Sequence, residues 1–181
     1  MNNHPLTENH LDVTIPRWFA IYTRFKREKV VLEELKRKGI EAYLPLQKKV
    51  RIYGKRKRIS ELPLFNCYLF VKITKSEYVS VLEVENVLQF IKFSKNLLAI
   101  PEREIEIIKN IIGENMPVRV REKRFVAGDA VVITRGNLTG IKGKLLEKRS
   151  KGNVLVELDH IGFTLQLTMD ESVLEKSTLL T

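Results

Sequence analysis

Apolar residues fall along this chain in short runs, and the spacing inside each run predicts its element. The densest, Pro63-Leu64-Phe65-Asn66-Cys67-Tyr68-Leu69-Phe70-Val71-Lys72-Ile73, is aromatic and β-branched and carries no charge before Lys72, the composition of a strand. Alternation sets Tyr68 and Phe70 on one face and Leu69, Val71 and Ile73 on the other. A strand apolar on both faces needs cover on both. Trp18–Thr23 has the same two-sided character. Lys26–Lys38 reads as a helix, with Glu28 in the first turn and Val30, Val31 and Leu35 inward. Its Lys36-Arg37-Lys38 end meets the negative pole of the dipole, and Gly39 stops it. Glu41–Arg51 alternates loosely and breaks at Pro45, so it reads as an edge strand.

Thr74-x-x-Glu77 has the form of a capping box opening a short helix through Val84. Val87–Phe93 is a fourth strand. Pro101 opens a further helix, with Glu102 and Glu104 in its first turn and Ile105, Ile108 and Ile112 on one stripe, and Gly113 ends it. The order strand–helix–strand–strand–helix–strand predicts an α+β, ferredoxin-like split βαβ domain over residues 17–112, after a mobile tail at 1–16. Its helices would cover one face of a four-stranded sheet. Trp18, Tyr22, Tyr68, Phe70, Phe90 and Phe93 are then too many rings for that face. The opposite face is expected to stay largely bare, covered only in part by the helix from Pro101, and to serve as a docking surface.

Residues 113–123 read as a polar linker. Beyond it the pattern changes: Gly128, Gly136, Gly140, Gly143, Gly152 and Gly162 punctuate β runs at Ala130–Thr134, Lys142–Lys148, Val154–Leu158 and Ile161–Thr168. Short strands with glycine turns predict a small β-barrel over 124–181.

Charge adds a partner class. The chain carries a net +10. Residues 1–120 hold 22 Lys+Arg against 14 Asp+Glu, or +8, and residues 121–181 hold 10 against 8, or +2. The excess therefore sits in the first part and favours a polyanion. Lys48, Lys49, Arg51, Lys55, Arg56, Lys57 and Arg58 crowd a hairpin tip around Tyr53-Gly54 with no acid among them. Such a tip either blunts an edge strand or contacts phosphates, and the absence of acids favours phosphates.

Little supports catalysis. Cys67 is the one cysteine, so neither an intramolecular disulfide nor a multi-cysteine metal site is expected, and a reducing cytoplasm is the natural compartment. Cys67 reads as a small hydrophobe inside a strand. His4 and His10 lie in the tail, and His160 stands beside Asp159 in a turn. No acid–base pair, metal spacing or phosphate-cradling loop appears, so no cofactor, metal or enzymatic activity is expected. Neither a secretory signal nor a membrane span is readable.

Three stretches together carry a resemblance. They are Trp18-Phe19-Ala20-Ile21-Tyr22; Gly54-Lys55-Arg56 followed by Pro63-Leu64-Phe65 and Tyr68-Leu69-Phe70-Val71; and Gly128-Asp129-x-Val131-Val132-Ile133 with Gly136, Gly140 and Gly143. In this order they resemble the NusG family of transcription elongation factors, whose N-terminal (NGN) domain precedes a KOW domain with an SH3-like barrel. The basic tip and the PLFNCYLFV run look like its specialised paralogues of the RfaH and UpxY type.

The resemblance implies a factor that binds the RNA polymerase clamp and suppresses pausing and termination, on long operons such as those for surface polysaccharides. Its alternatives are a housekeeping factor coupled to Rho termination and a ribosomal or RNA-binding KOW protein. It implies that Tyr22, Phe65, Tyr68, Phe70 and Phe93 meet the polymerase. Ser80, in Glu77-Tyr78-Val79-Ser80, is the one residue similar to the family's second polymerase contact. Arg24, Lys26, Arg27, Lys55, Arg56, Lys57 and Arg58 would touch non-template DNA or nascent RNA. Ile161 and Phe163 would meet the barrel's partner, either Rho or a small-subunit ribosomal protein.

Overall fold

The computed structural model describes residues 8–54, 56–92, 95–114, 118–122, 130–135, 138–147, 152–158, 163–169 and 171–176. The chain divides into two compact units, Met1–Glu102 and Arg103–Thr181.

The first unit contains β1 (Arg17–Thr23), α1 (Glu28–Arg37), β2 (Glu41–Tyr43), β3 (Leu46–Tyr53), β4 (Arg56–Pro63), β5 (Tyr68–Ile73), α2 (Tyr78–Leu82) and β6 (Val87–Phe90). Its main sheet runs β2-β5-β1-β6, antiparallel at every pairing, which is the split βαβ topology read from the sequence. Strands β3 and β4 form a separate two-stranded ribbon.

Side-chain alternation decides what each face of the sheet meets. Phe19 pairs with Val71, and Ile21 pairs with Leu69 and Phe90. These residues share a core with Val31 and Leu35 of α1 and with Val81 and Val84 around the end of α2. Helix α1 ends as its sequence requires. The Gly39 N–H donates to the Lys36 carbonyl (2.9 Å), the Ile40 N–H donates to the Leu35 carbonyl (3.0 Å), and Gly39 sits at φ +74°. This is a Schellman stop, with buried Ile40 and Leu35 supplying its apolar contact. Ahead of α2 the capping box forms: the Thr74 N–H and hydroxyl both donate to Glu77 Oε2, at 2.8 and 2.9 Å.

Several expectations need correction. Val30 is exposed, because only Val31 and Leu35 lie on the inward arc of α1. The Pro63–Ile73 run is not one strand. Pro63 closes β4, a turn follows, and β5 begins at Tyr68. Cys67 therefore lies in a turn, at φ +65°, and not inside a strand. Helix α3 (Glu102–Gly113) begins at the last residue of the first unit, and its buried stripe is Ile105, Ile108 and Ile111, with Ile112 only half-buried.

Residues 8–16 are no loose tail. The Leu97 N–H donates to the Glu8 carbonyl and the His10 N–H to the Leu97 carbonyl, each at 2.9 Å, and the Ala99 N–H donates to His10 Nδ1 at 3.0 Å. Asp12 accepts from the Thr14 and Ile15 N–H groups at 2.8 and 2.9 Å, and these bonds hold its carboxyl below the usual range. The polar composition reflects backbone capping, which leaves no apolar period to read.

The second unit is strand-rich. It contains β7 (Val118–Glu122), β8 (Ala130–Ile133), β9 (Lys142–Glu147), β10 (Gly152–Leu158), β11 (Phe163–Met169) and β12 (Leu174–Lys176), ordered β12-β8-β9-β10-β11-β7. The meander from β8 to β11, closed by β12 on β8, is consistent with the expected SH3-like KOW domain. The stretch read as linker holds β7, which pairs with β11. Strand β11 is buried on both faces, Thr164 and Gln166 as well as Leu165 and Leu167, so its alternation does not mark an outer side. Gly128, Asp129, Gly136 and Gly162 lie outside the described residues.

Candidate functional site

Register places three rows on the sheet face opposite α1 and α2: Glu41–Lys72–Trp18, Tyr43–Phe70–Ala20 and Tyr68–Tyr22–Gln89. The expectation of a bare aromatic face fails over two of them. Phe70 is fully buried, with Tyr43 stacked on it at 6.3 Å between ring centroids and Phe65 edge-on at 6.0 Å. Phe65 and Trp18 are each 2% exposed. Trp18 Nε1 donates to Glu102 Oε2 (3.0 Å), and Lys72 Nζ lies 3.0 Å from the same oxygen and 5.7 Å from the Trp18 ring centroid. The Glu102 carboxylate holds Lys72 above its usual range. Phe90 is on the other face, edge-on to Phe19 and stacked on Tyr78. Phe93 lies outside the described residues.

The third row is different. Tyr22 and Tyr68 are half-buried and meet edge to face at 5.6 Å. Partial burial, with Tyr22 and Cys67 beside it, raises the Tyr68 phenol above its usual range. A hydrogen bond with the Cys67 side chain does the same for Tyr22. Leu88 is 51% exposed on β6 next to Gln89, where the β1–β6 register slips between Tyr22 and Thr23. On this face of the sheet the apolar surface left for a partner is thus the tyrosine end. Ser80 is half-buried on α2, whose Val81 packs on the opposite face, so the fold separates it from the tyrosines.

The tyrosine end is fixed by a feature that the sequence did not reveal. Glu28, 4% exposed in the first turn of α1, accepts from the Cys67 N–H through Oε1 at 2.8 Å. The Cys67 carbonyl in turn accepts from the Thr23 N–H at 2.8 Å. An acid at this position reads as a dipole partner, and only the folded turn reveals the buried bond.

Two cationic elements belong to the same unit. Arg24, Lys26 and Arg27 occupy the exposed turn between β1 and α1. The β3–β4 ribbon is an eight-pair ladder from Leu46↔Pro63 to Tyr53↔Arg56, with Gly54 beyond its last pair at φ +58°, the left-handed conformation that primed hairpin turns use. Its register sorts the side chains by face. Lys49, Arg51, Arg56 and Arg58 fall on one face; Lys48, Lys57 and Glu61 share the other with exposed Val50, Ile52 and Ile59. Lys55 lies outside the described residues. Phe163 is half-buried at the start of β11, and Ile161 lies outside the described residues.

Among the described residues no group of three or more His, Cys, Asp or Glu side chains is placed to hold a metal, and no helix is long and apolar enough to cross a membrane. The first unit presents a half-buried aromatic sheet end and basic projections. Residues 16–109, more than half of the chain, match the family model described as transcription termination factor NusG, and the chain belongs to the NusG family. Among solved structures, the Thermotoga maritima NusG of a study of domain interaction aligns with a TM-score of 0.57 at 22% identity, over 89% of this chain and 97% of that one. A chain of the MjSpt4:Spt5 complex aligns over 91% and 99% at 14% identity, but its TM-score of 0.31 is too low to bear on the fold. No curated protein matches the chain significantly.

Proposed function

We propose that this protein is a transcription elongation factor of the specialised RfaH and UpxY type, binding RNA polymerase at the clamp and suppressing pausing and termination. The observation that carries the reading is the half-open Tyr22–Tyr68 end of the sheet in a chain of the NusG family. A half-buried aromatic pair offers apolar area with polar hydroxyls, the character of an interface anchor. Phe65 and Phe70 then support these anchors from within, Phe93 also meets the polymerase, and Ser80 reaches a second polymerase surface. Arg24, Lys26, Arg27 and the Lys55–Arg58 tip hold non-template DNA or nascent RNA. Phe163 and Ile161 meet the partner of the second unit, either Rho or a small-subunit ribosomal protein. The protein acts in the cytoplasm, without cofactor, on long operons such as those for surface polysaccharides.

Mechanistically, a factor shifts the balance between paused and forward-moving polymerase only by its difference in affinity for the two. Contacts that span a closed clamp supply such a difference. The test is transcription in vitro on the protein's own leader DNA with purified polymerase. The expected result is shorter pauses and more read-through. Tyr22→Ala with Tyr68→Ala should weaken polymerase binding roughly 30-fold or more, the worth of an aromatic anchor, with an unchanged circular-dichroism spectrum. Phe70→Ala is the wrong probe, since removing a fully buried ring costs about 3–5 kcal/mol of stability by itself. Unaltered pausing with bound wild-type protein would refute the proposal. Increased termination when Rho is added would favour the second reading, which the family's own description as a termination factor motivates.

A further inference from the structure

The β1–α1 turn, Arg24-Phe25-Lys26-Arg27, is closed by the Arg27 N–H donating to the Arg24 carbonyl at 3.1 Å, and all four residues are exposed. It is held on both sides of the sheet end: the Thr23 N–H donates to the Cys67 carbonyl at 2.8 Å and the Arg24 N–H to the Asn86 carbonyl at 2.9 Å. Exposure here is thus built in. Lys26 adopts φ +61°, a region that suits glycine and that L side chains enter at a cost. The nearest acid in sequence, Glu28, is turned inward on the Cys67 N–H, and among the described residues no ion pair joins Arg24, Lys26 or Arg27 to an acid. Among them Phe25 is 63% exposed, while the other described aromatic side chains are buried or half-buried. Lys26 Nζ lies 5.2 Å from its ring centroid.

A flat apolar ring ringed by cations matches a ligand that is both flat and anionic. We propose that Phe25 is a stacking platform for one unpaired nucleobase, with Arg24, Lys26 and Arg27 holding the flanking phosphates. This rests on the reading that the first unit contacts nucleic acid, and it assigns the turn to single strands. In a duplex each base face is already occupied by its neighbours, whereas single-strand sites combine a basic track with aromatic platforms. The β3–β4 ribbon sets four cations, Lys49, Arg51, Arg56 and Arg58, on one face, the chemistry for phosphates.

The test uses the full chain and fluorescence anisotropy with labelled oligo-dT, oligo-rU and a DNA duplex of equal length, for the wild type and for Phe25→Ala, Phe25→Leu and Phe25→Trp. Stacking of one base predicts that Ala and Leu both weaken single-strand binding roughly 5- to 100-fold while duplex binding holds. Trp should retain the affinity, with its fluorescence quenched on binding. Ring dependence with oligo-dT identifies displaced DNA as the ligand, ring dependence with oligo-rU identifies transcript, and either supports the proposal. If the wild type binds but Ala matches it, if Leu restores binding, or if duplex affinity falls equally, the stacking role is refuted and nucleic-acid contact stands. If the wild type binds none of the three probes, both readings fall.

Discussion

Glu28 occupies the first turn of α1, where an acid is worth only a few tenths of a kcal/mol when exposed. Its burial changes the scale. A carboxylate that accepts from a buried N–H contributes more than a neutral pair, and removing it leaves the Cys67 N–H without that acceptor. Glu28→Ala is therefore expected to lower stability by about 2–3 kcal/mol in urea unfolding, whereas Glu28→Gln, which keeps a carbonyl acceptor, should lose less. An Ala variant as stable as wild type would show that the bond does not hold the turn. The turn matters because Cys67 reaches both Thr23, through its carbonyl, and Tyr22, through its side chain. Such a bond joins residues far apart in sequence and leaves no periodic trace. The Gly39 stop and the Thr74–Glu77 capping box are local, and both were readable.

Among the elements, the β3–β4 ribbon shows most clearly how far a sequence pattern reaches. Seven cations around a turn announce a basic tip, but only the register divides Lys49, Arg51, Arg56 and Arg58 from Lys48, Lys57 and the apolar row. Eight pairs at about 3.4 Å per residue make a ribbon about 27 Å long, and an unsupported two-stranded ribbon is marginal unless something binds it. If the cationic face tracks phosphates, changing its four cations to Gln should reduce the slope of log affinity against log salt on duplex DNA by about 3–4 units. Val50→Ser with Ile59→Ser on the other face should leave that slope unchanged. Equal slopes for both variants in a salt titration would dismiss phosphate contact. The same limit explains the aromatic face: alternation put Tyr68 and Phe70 on one face, but could not show that Phe65 and Tyr43 close over Phe70. The edge-on contact comes from the turn after β4, which reading Pro63–Ile73 as one strand hides, and the stacked one from an edge strand distant in sequence.

At the scale of the whole molecule, two units of different construction follow one another, and the change in pattern after Gly113 was visible because glycine spacing and β runs replace helical period. Whether the second unit can change fold depends on its glycines and its strand pairing. A strand-to-helix conversion would have to give up the seven-pair β10–β11 ladder and place Gly140, Gly143 and Gly152 in helix, each at about 1 kcal/mol relative to alanine. Gly140 also sits at φ +85°, a conformation that a helix cannot use, in a turn where its N–H donates to the Ile133 carbonyl at 2.8 Å. Burial of Val154, Leu165 and Leu167 opposes the same change. Backbone chemical shifts of Ala130–Ile133, Lys142–Glu147, Gly152–Leu158, Phe163–Met169 and Leu174–Lys176 in the full-length protein are therefore expected to report strand, and the far-UV spectrum to gain no helix in moderate denaturant before unfolding. Helical shifts in a second, slowly exchanging population would overturn this. They would mean that the glycine cost and the ladder together are outweighed.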